Sequence, residues 1–413
     1  MSMTAPVAST TDLLDRFRAV RAWTETLGAP LEIEDFVAQP MPDASPTKWH
    51  FAHVTWFWET FLLKPYLPNY QTQSPAYEVL FNSYYNAVGP QFPRARRGTI
   101  TRPTVAETYD YRRHIDEAME QLIGETEDDL TNLIELGLNH EQQHQELITT
   151  DLKFLLGCNP LHPIYRVCET TQKNSAPPHW IYCEGGLNEI GFEGEGFSFD
   201  NEGPRHRVWL EPFELSSQLV TNAQWLEFIE DGGYERSEFW LSAGWNTVCN
   251  EAWRAPLYWQ QSERGPQNFT LSGLRAVEPS EPVTHVSYFE ADAFARWSGA
   301  RLPTEFEWEV ACRDAPVRGN FAENEVFHPT PQGEFEPFGN VWQWTRSQYS
   351  PYPGYRADAG ALGEYNGKFM CNQFVLRGGS CATPQSHIRP TYRNFFPPDA
   401  RWQFSGLRLA RDV

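Results

Sequence analysis

The sequence predicts an α+β protein of two domains: a four-helix bundle followed by an irregular domain with sparse regular secondary structure. Apolar residues recur at three- and four-residue intervals as far as residue 156. The pattern then breaks between Gly157 and Pro178 into Pro, Asn, Ser and Thr, as in Cys158-Asn159-Pro160 and Asn174-Ser175-Ala176-Pro177. Beyond that break the chain is rich in glycine and aromatic residues with short apolar runs, such as Gly186-Leu187-Asn188-Glu189-Ile190-Gly191-Phe192. A chain of 413 residues can bury two cores. The expected division is 1–157, a linker over 158–180, and 181–413.

In the first helix Leu13, Leu14, Phe17, Val20 and Trp23 share a stripe, with Gly28 as the stop. The second spans 46–63, with Ser45 as cap and Pro46 in the first helical position. A third, near 104–123, carries Val105, Tyr109, Ile115, Met119 and Leu122. The fourth runs from Asp128 to Leu156 on Leu130, Leu133, Ile134, Leu138, Leu147, Ile148, Leu152 and Leu155. Its Glu127-Asp128-Asp129 start suits a positive helix N-terminus. The second domain shows no internal repeat, and Gln260 to Pro279 reads as surface loop.

The fourth helix carries His140 and His144, and a helix places i and i+4 on one face. They read as half of a metal site, in a bundle interior where such sites are common. The bland reading is a solvated surface pair. A third ligand is available in Trp49-His50-Phe51-Ala52-His53-Val54, from either His50 or His53. Glu141 makes the run His-Glu-x-x-x-His, but the zinc protease spacing is His-Glu-x-x-His, which counts against a metalloprotease.

Composition narrows the partners. A net charge of -21 argues against nucleic acid or an anionic membrane surface and for small molecules. Aromatic content of 15% and 16 Trp fit aromatic-rich globular cores. The seven cysteines, Cys158, Cys168, Cys183, Cys249, Cys312, Cys371 and Cys381, are widely spaced and odd in number, so neither a disulfide framework nor a zinc ribbon is expected. Met1 to Thr11 lacks a basic, apolar leader pattern and no later run reads as a membrane span, so a cytoplasmic location is expected.

Five ordered blocks give the second domain a family likeness: Pro282-Val283-Thr284-His285-Val286-Ser287-Tyr288, Ala291 to Trp297, Gly299-Ala300-Arg301-Leu302-Pro303-Thr304-Glu305-Phe306-Glu307-Trp308-Glu309, Gly339-Asn340-Val341-Trp342-Gln343-Trp344-Thr345, and Leu376-Arg377-Gly378-Gly379-Ser380. Together they resemble the formylglycine-generating-enzyme fold, a relative of the C-type lectin fold. The copper-dependent enzymes of that fold use a closely spaced cysteine pair near the C-terminus. Here Ser386-His387-Ile388-Arg389-Pro390-Thr391-Tyr392-Arg393-Asn394 has none, which disfavours peptide-cysteine oxidation.

The N-terminal half resembles the DinB-like four-helix bundle, and the pairing of the two domains resembles the ergothioneine-type sulfoxide synthases over nearly the whole chain. That resemblance implies Fe(II) ligated by His53, His140 and His144, with His50 in a supporting role. It implies that Gln143 holds the histidine-betaine substrate hercynine, against the alternative of an ordinary surface Gln. In Tyr392-Arg393-Asn394-Phe395-Phe396 it implies hydrogen bonds from Asn394 and a ring face from Phe395 near the trimethylammonium. In the actinobacterial branch an acid matching Phe396 helps bind γ-glutamylcysteine and a catalytic tyrosine comes from the C-terminal domain; Tyr352 to Lys368 does not reproduce that motif. Phe81-Asn82-Ser83-Tyr84-Tyr85-Asn86-Ala87-Val88-Gly89 resembles instead a branch with paired N-terminal tyrosines that uses free cysteine. Tyr84 and Tyr85 are then the catalytic candidates. Arg94 and Arg97 are candidates for the thiol substrate's carboxylate, the alternative being ion pairs within an acidic protein.

The implied reaction joins cysteine sulfur to the imidazole C2 of hercynine and oxidises it to a sulfoxide with O2. The rival readings are a selenoneine synthase taking a selenosugar, a zinc- or nickel-dependent thiol transferase that needs no oxygen, and a non-enzymatic ligand-binding module. Oligomeric state is not legible in the sequence.

Overall fold

The structure, a computed structural model, describes residues 10–125, 130–168, 177–357, 360 and 362–413. The expected acidic start Glu127-Asp128-Asp129 lies outside the described residues, as do Asn174, Ser175 and Ala176 of the expected linker. The chain forms two compact units. One is Met1–Cys158 with Gly194–Phe197 and Asp358–Tyr365, and the other is Asn159–Glu193, Ser198–Ala357 and Asn366–Val413.

The first unit holds four long helices, α1 (Thr10–Gly28), α2 (Thr47–Trp58), α3 (Val105–Glu125) and α4 (Thr131–Gly157). Every residue of α2 is buried, as expected for a helix that the others surround. It runs on through a π-helical turn at Glu59–Leu63 and a last turn at Lys64–Tyr66. Its start differs from the expectation. Pro46 precedes the helix and Ser45 does not cap it, because other partners claim Ser45: its N–H donates to Asp151 (2.8 Å) and its Oγ accepts from Arg97 (2.9 Å). Gly137 lets α4 approach α2, since a Cβ there would lie 2.5 Å from the Trp58 ring.

Glu141 of α4 is fully buried, and all four helices meet at its carboxylate. It accepts from Thr24 (2.7 Å) and Arg21 (2.9 Å) of α1 and Trp58 Nε1 (2.9 Å) of α2, and it pairs with Arg112 of α3 (3.4 Å). Burial alone would raise this carboxyl; Arg21 and Arg112 outweigh it and bring it down to about 2.

In the second unit β1 (Trp180–Cys183) and β12 (Arg408–Asp412) flank β4 (Phe213–Leu219) in one sheet, and β2 (Gly186–Ile190) pairs with β3 (His206–Leu210). A four-stranded sheet has the order β10 (Asn394–Phe396), β9 (Phe374–Arg377), β8 (Trp342–Gln348), β11 (Ser405–Gly406). Short helices cover these sheets. Asn222–Glu230, Tyr288–Trp297 and Glu305–Cys312 each begin with a capping box, from Thr221 and Gln224, Ser287 and Glu290, and Thr304 and Glu307. Trp225, Trp308, Trp342 and Trp344 fill the core.

The expected surface loop from Gln260 to Pro279 is corrected. It contains an antiparallel sheet of β5 (Trp259–Ser262), β6 (Gly265–Thr270) and β7 (Gly273–Ala276), joined by two-residue turns at Glu263-Arg264 and Leu271-Ser272. Gln and Asn masked the alternation, yet Asn268, Phe269, Thr270 and Leu271 are buried. None of the seven cysteines forms a disulfide. Among the described residues no helix is long and apolar enough to cross a membrane.

Replacing Glu141 by Ala leaves the buried Arg21 and Arg112 with Asp116 and Glu25 alone as acidic partners among the described residues and is expected to destabilise the protein by about 3–5 kcal/mol. Urea unfolding measures this, and a loss under about 1 kcal/mol contradicts the assignment of Glu141 as the structural hub.

Candidate metal centre

His53, on α2, meets His140 and His144, on α4, so that one ring nitrogen from each lies within 4.8 Å of the others. His53 and His140 are buried. The bland alternative of a solvated pair is thereby excluded for His140. His53 is clamped on both faces, by Trp49 four residues before it (4.6 Å, 12°) and Trp56 three residues after it (5.5 Å, 17°). Its Nδ1 faces the Phe81 carbonyl at 2.6 Å; a carbonyl only accepts, so Nδ1 carries the proton and Nε2 a lone pair. His140 stacks on Phe57 (4.4 Å, 23°).

The chemistry of the three rings fits a cation. His53 Nε2 faces His140 Nε2 at 3.2 Å, and His140 Nδ1 is buried with no hydrogen-bond partner. Burial pushes His140 down to about 3 and holds His53 and His144 well below the usual histidine range, with neighbouring imidazoles adding to the effect on both. Neutral imidazoles with inward lone pairs, on two rigid helices, are ligands for a divalent transition metal.

The tyrosine and arginine candidates of this unit lie on the chain between α2 and α3. Asn82 Nδ2 ties the Phe81–Gly89 turn by donating to the carbonyls of Tyr85 and Gly89, both at 3.1 Å. The turn that fixes His53 therefore also presents the tyrosines. Tyr84 has φ 66°, a left-handed conformation that costs a bulky residue energy, and its hydroxyl accepts from Arg94. Tyr85 is buried among Trp56, Phe57 and Phe61, one ring removed from His53 and from His140.

Arg94 also donates to the Asp43 carbonyl. Arg97 is buried, lies flat on Trp49 at 3.4 Å, and donates to Ser45 (2.9 Å) and Ser83 (2.8 Å). Neither arginine forms an ion pair among the described residues, so the alternative of internal ion pairing is not what the fold does with them. Burial, with Arg94 adding to it, lowers Arg97 to about 9. A buried cation without a directly bonded carboxylate can accept an anionic ligand. Gln143 is partly exposed on α4 between the two histidines.

Asn394, Phe395 and Phe396 lie in the second unit, on β10. Asn394 Oδ1 accepts from the Phe395 N–H (2.9 Å), Phe395 stacks on Tyr349 (4.1 Å, 9°), and Phe396 meets Trp402 edge-on. Four residues at the centre escaped the sequence reading. Trp49 and Trp56 could have been found from their helical spacing to His53, and Asp151 from its place two turns after His144. Tyr365, which stacks on Tyr85 (6.4 Å, 26°) and meets Tyr84 edge-on (6.2 Å), lies too far along the chain for any local signal.

The buried histidines dictate how stability varies with pH. His50, His53, His140, His144 and, in the second unit, His387 are all lowered, chiefly by burial, so the unfolded chain binds more protons than the folded one below about pH 6.5. The metal-free protein is expected to keep its full stability above that pH and to lose it on acidification, by up to about 1.4 kcal/mol per pH unit for each histidine. Urea titrations from pH 7.5 to 5 check this; a flat midpoint contradicts it.

Comparison with known proteins agrees with this architecture. The sulfatase-modifying factor enzyme 1-like domain family matches residues 165–333 and 320–413. A hercynine oxygenase of Mycolicibacterium thermoresistibile is 31% identical, over 90% of this chain and 88% of its own. One from Mycobacterium tuberculosis is 31% identical, over 90% and 92% respectively. A formylglycine-generating enzyme of Streptomyces coelicolor is 31% identical over 53% of this chain and 84% of its own. The chain belongs to the hercynine oxygenase family, with a sulfatase-modifying factor domain as its C-terminal part.

Proposed function

We propose that this protein is an O2-dependent sulfoxide synthase of ergothioneine biosynthesis, joining cysteine sulfur to C2 of the hercynine imidazole. The observation that carries the reading is the convergence of three neutral histidines in a chain of this family. In this proposal residues 1–157, a DinB-like bundle, hold the metal, and residues 181–413 contribute substrate contacts. His53, His140 and His144 hold Fe(II), which supplies the redox chemistry for the four-electron reduction of O2. The balance closes: the imidazole C2–H and the thiol S–H are lost, a C–S bond forms, one oxygen atom goes to sulfur and the other leaves as water.

The side chains position the reactants. Gln143 and Asn394 hydrogen-bond to hercynine, and Phe395, held by stacking on Tyr349, offers its ring to the trimethylammonium. Phe396 offers no charge to the amino group of a γ-glutamyl extension, which favours free cysteine. Arg94 and Arg97 receive the cysteine carboxylate, the buried Arg97 gaining a directly bonded counter-charge. The Trp49 and Trp56 faces keep water from His53. Tyr84, whose hydroxyl accepts from Arg94 and so has its own proton to give, and Tyr85 supply the proton that commits the bound reactants to C–S bond formation.

Mass spectrometry of Fe(II)-loaded protein with hercynine and equal cysteine and γ-glutamylcysteine tests this. The expected product is hercynyl-cysteine sulfoxide, formed with O2 and absent without it; no coupled product from either thiol overturns the reading, and coupling of a selenosugar in its place assigns the rival donor. Replacing Tyr84 and Tyr85 together by Phe is expected to shift output towards cysteine sulfinate, and unchanged sulfoxide formation rules out their role.

A further inference from the structure

A buried chain of groups backs His144. Asp151 lies two helical turns after His144 on α4, and His50 lies on α2 one turn before His53. His50 Nε2 is 3.0 Å from Asp151 Oδ2, which also accepts the Ser45 N–H at 2.8 Å, and His50 Nδ1 is 2.9 Å from His144 Nδ1. His50 and Asp151 are both buried. Two ring nitrogens 2.9 Å apart share one proton, so the direction of the chain is set at its ends.

The direction follows from donor and acceptor rules. The carboxylate oxygen accepts, so His50 carries its proton on Nε2 and offers a lone pair at Nδ1. That lone pair accepts a hydrogen bond from His144, whose proton therefore sits on Nδ1 and whose Nε2 is left unprotonated. His53 is set the same way by the Phe81 carbonyl, and His140 Nδ1 has no hydrogen-bond partner among the described residues. Among the described residues His144 is the one of the three rings backed, through His50, by an acid, and such backing makes an imidazole a stronger donor to a cation.

We infer that His50 and Asp151 form a positioning relay that commits His144 to the tautomer presenting Nε2 and so strengthens metal binding at His53, His140 and His144. The inference rests on the metal centre proposed above. His50 is therefore a positioning residue and not a fourth ligand: its ring nitrogens are consumed by Asp151 and His144.

Titration of the metal-free full-length protein with Co(II), read by its visible absorption, tests the relay apart from turnover. Asp151→Asn keeps the shape, removes the charge and lets the amide donate in place of the carboxylate; His50→Leu removes the acceptor; His50→Asn places an amide oxygen where Nδ1 stood. Expected is a roughly 10- to 100-fold weakening for Asp151→Asn and His50→Leu, an altered absorption band, and substantial recovery in His50→Asn. Parental affinity and spectrum in both Asp151→Asn and His50→Leu overturn the relay while leaving the three-histidine site intact. Equal weakening in His50→Asn and His50→Leu overturns it too, because loss without rescue reports packing. If Co(II) binds the parent and His140→Ala alike, the metal centre itself is what fails.

Discussion

Glu141 ties α1, α2, α3 and α4 together at one carboxylate, and the placing of the histidines depends on that junction. A carboxylate is tolerated in a bundle interior only when its charge is met, and here Arg21 and Arg112 meet it while Asp116 takes the other side of Arg21 at 2.6 Å. Two acids and two arginines leave the junction close to neutral. Since His140 adjoins Glu141 in sequence, locking that carboxylate sets the rotation of α4, which turns His140 and His144 towards α2. The acid that gives this segment its superficial likeness to a protease motif is thus engaged in structure, with both oxygens bonded and none free to act as a base.

Around the histidines the fold trades polarity for precision. Trp49, Trp56 and Phe57 hold two of the rings by stacking, which orients them without competing for their nitrogens. Desolvation keeps the rings neutral, the form a metal needs. The same dryness makes Arg97 a buried cation whose direct partners are two hydroxyls and an indole face. Strain at Tyr84 adds to this picture: a bulky residue at φ 66° persists because the Asn82 side chain and Gln91, which accepts the Tyr84 N–H at 2.9 Å, fix the turn.

Much of this was legible in the sequence because helices announce themselves by spacing. The stripes on α1, α3 and α4 gave their extents to within a few residues, and His140 and His144 follow from the four-residue rule. The choice of His53 over His50 was not available from periodicity, since the two are three residues apart on one buried helix; it depends on which ring Asp151 claims. Ser45 misled for a related reason, looking like a cap while its polar atoms serve Asp151 and Arg97. The sheet from Trp259 to Ala276 was invisible because buried Asn268 and Thr270 break the apolar alternation on which strand reading relies. Tyr365 is a tertiary fact with no local trace.

The central claim is that His53, His140 and His144 together hold iron. X-ray absorption of the anaerobic, Fe(II)-loaded protein beside its His53→Ala variant tests it most directly. Three imidazole ligands are expected in the parent and fewer, with weakened iron retention, in the variant. An iron shell without imidazole, or one unchanged by the loss of His53, contradicts it.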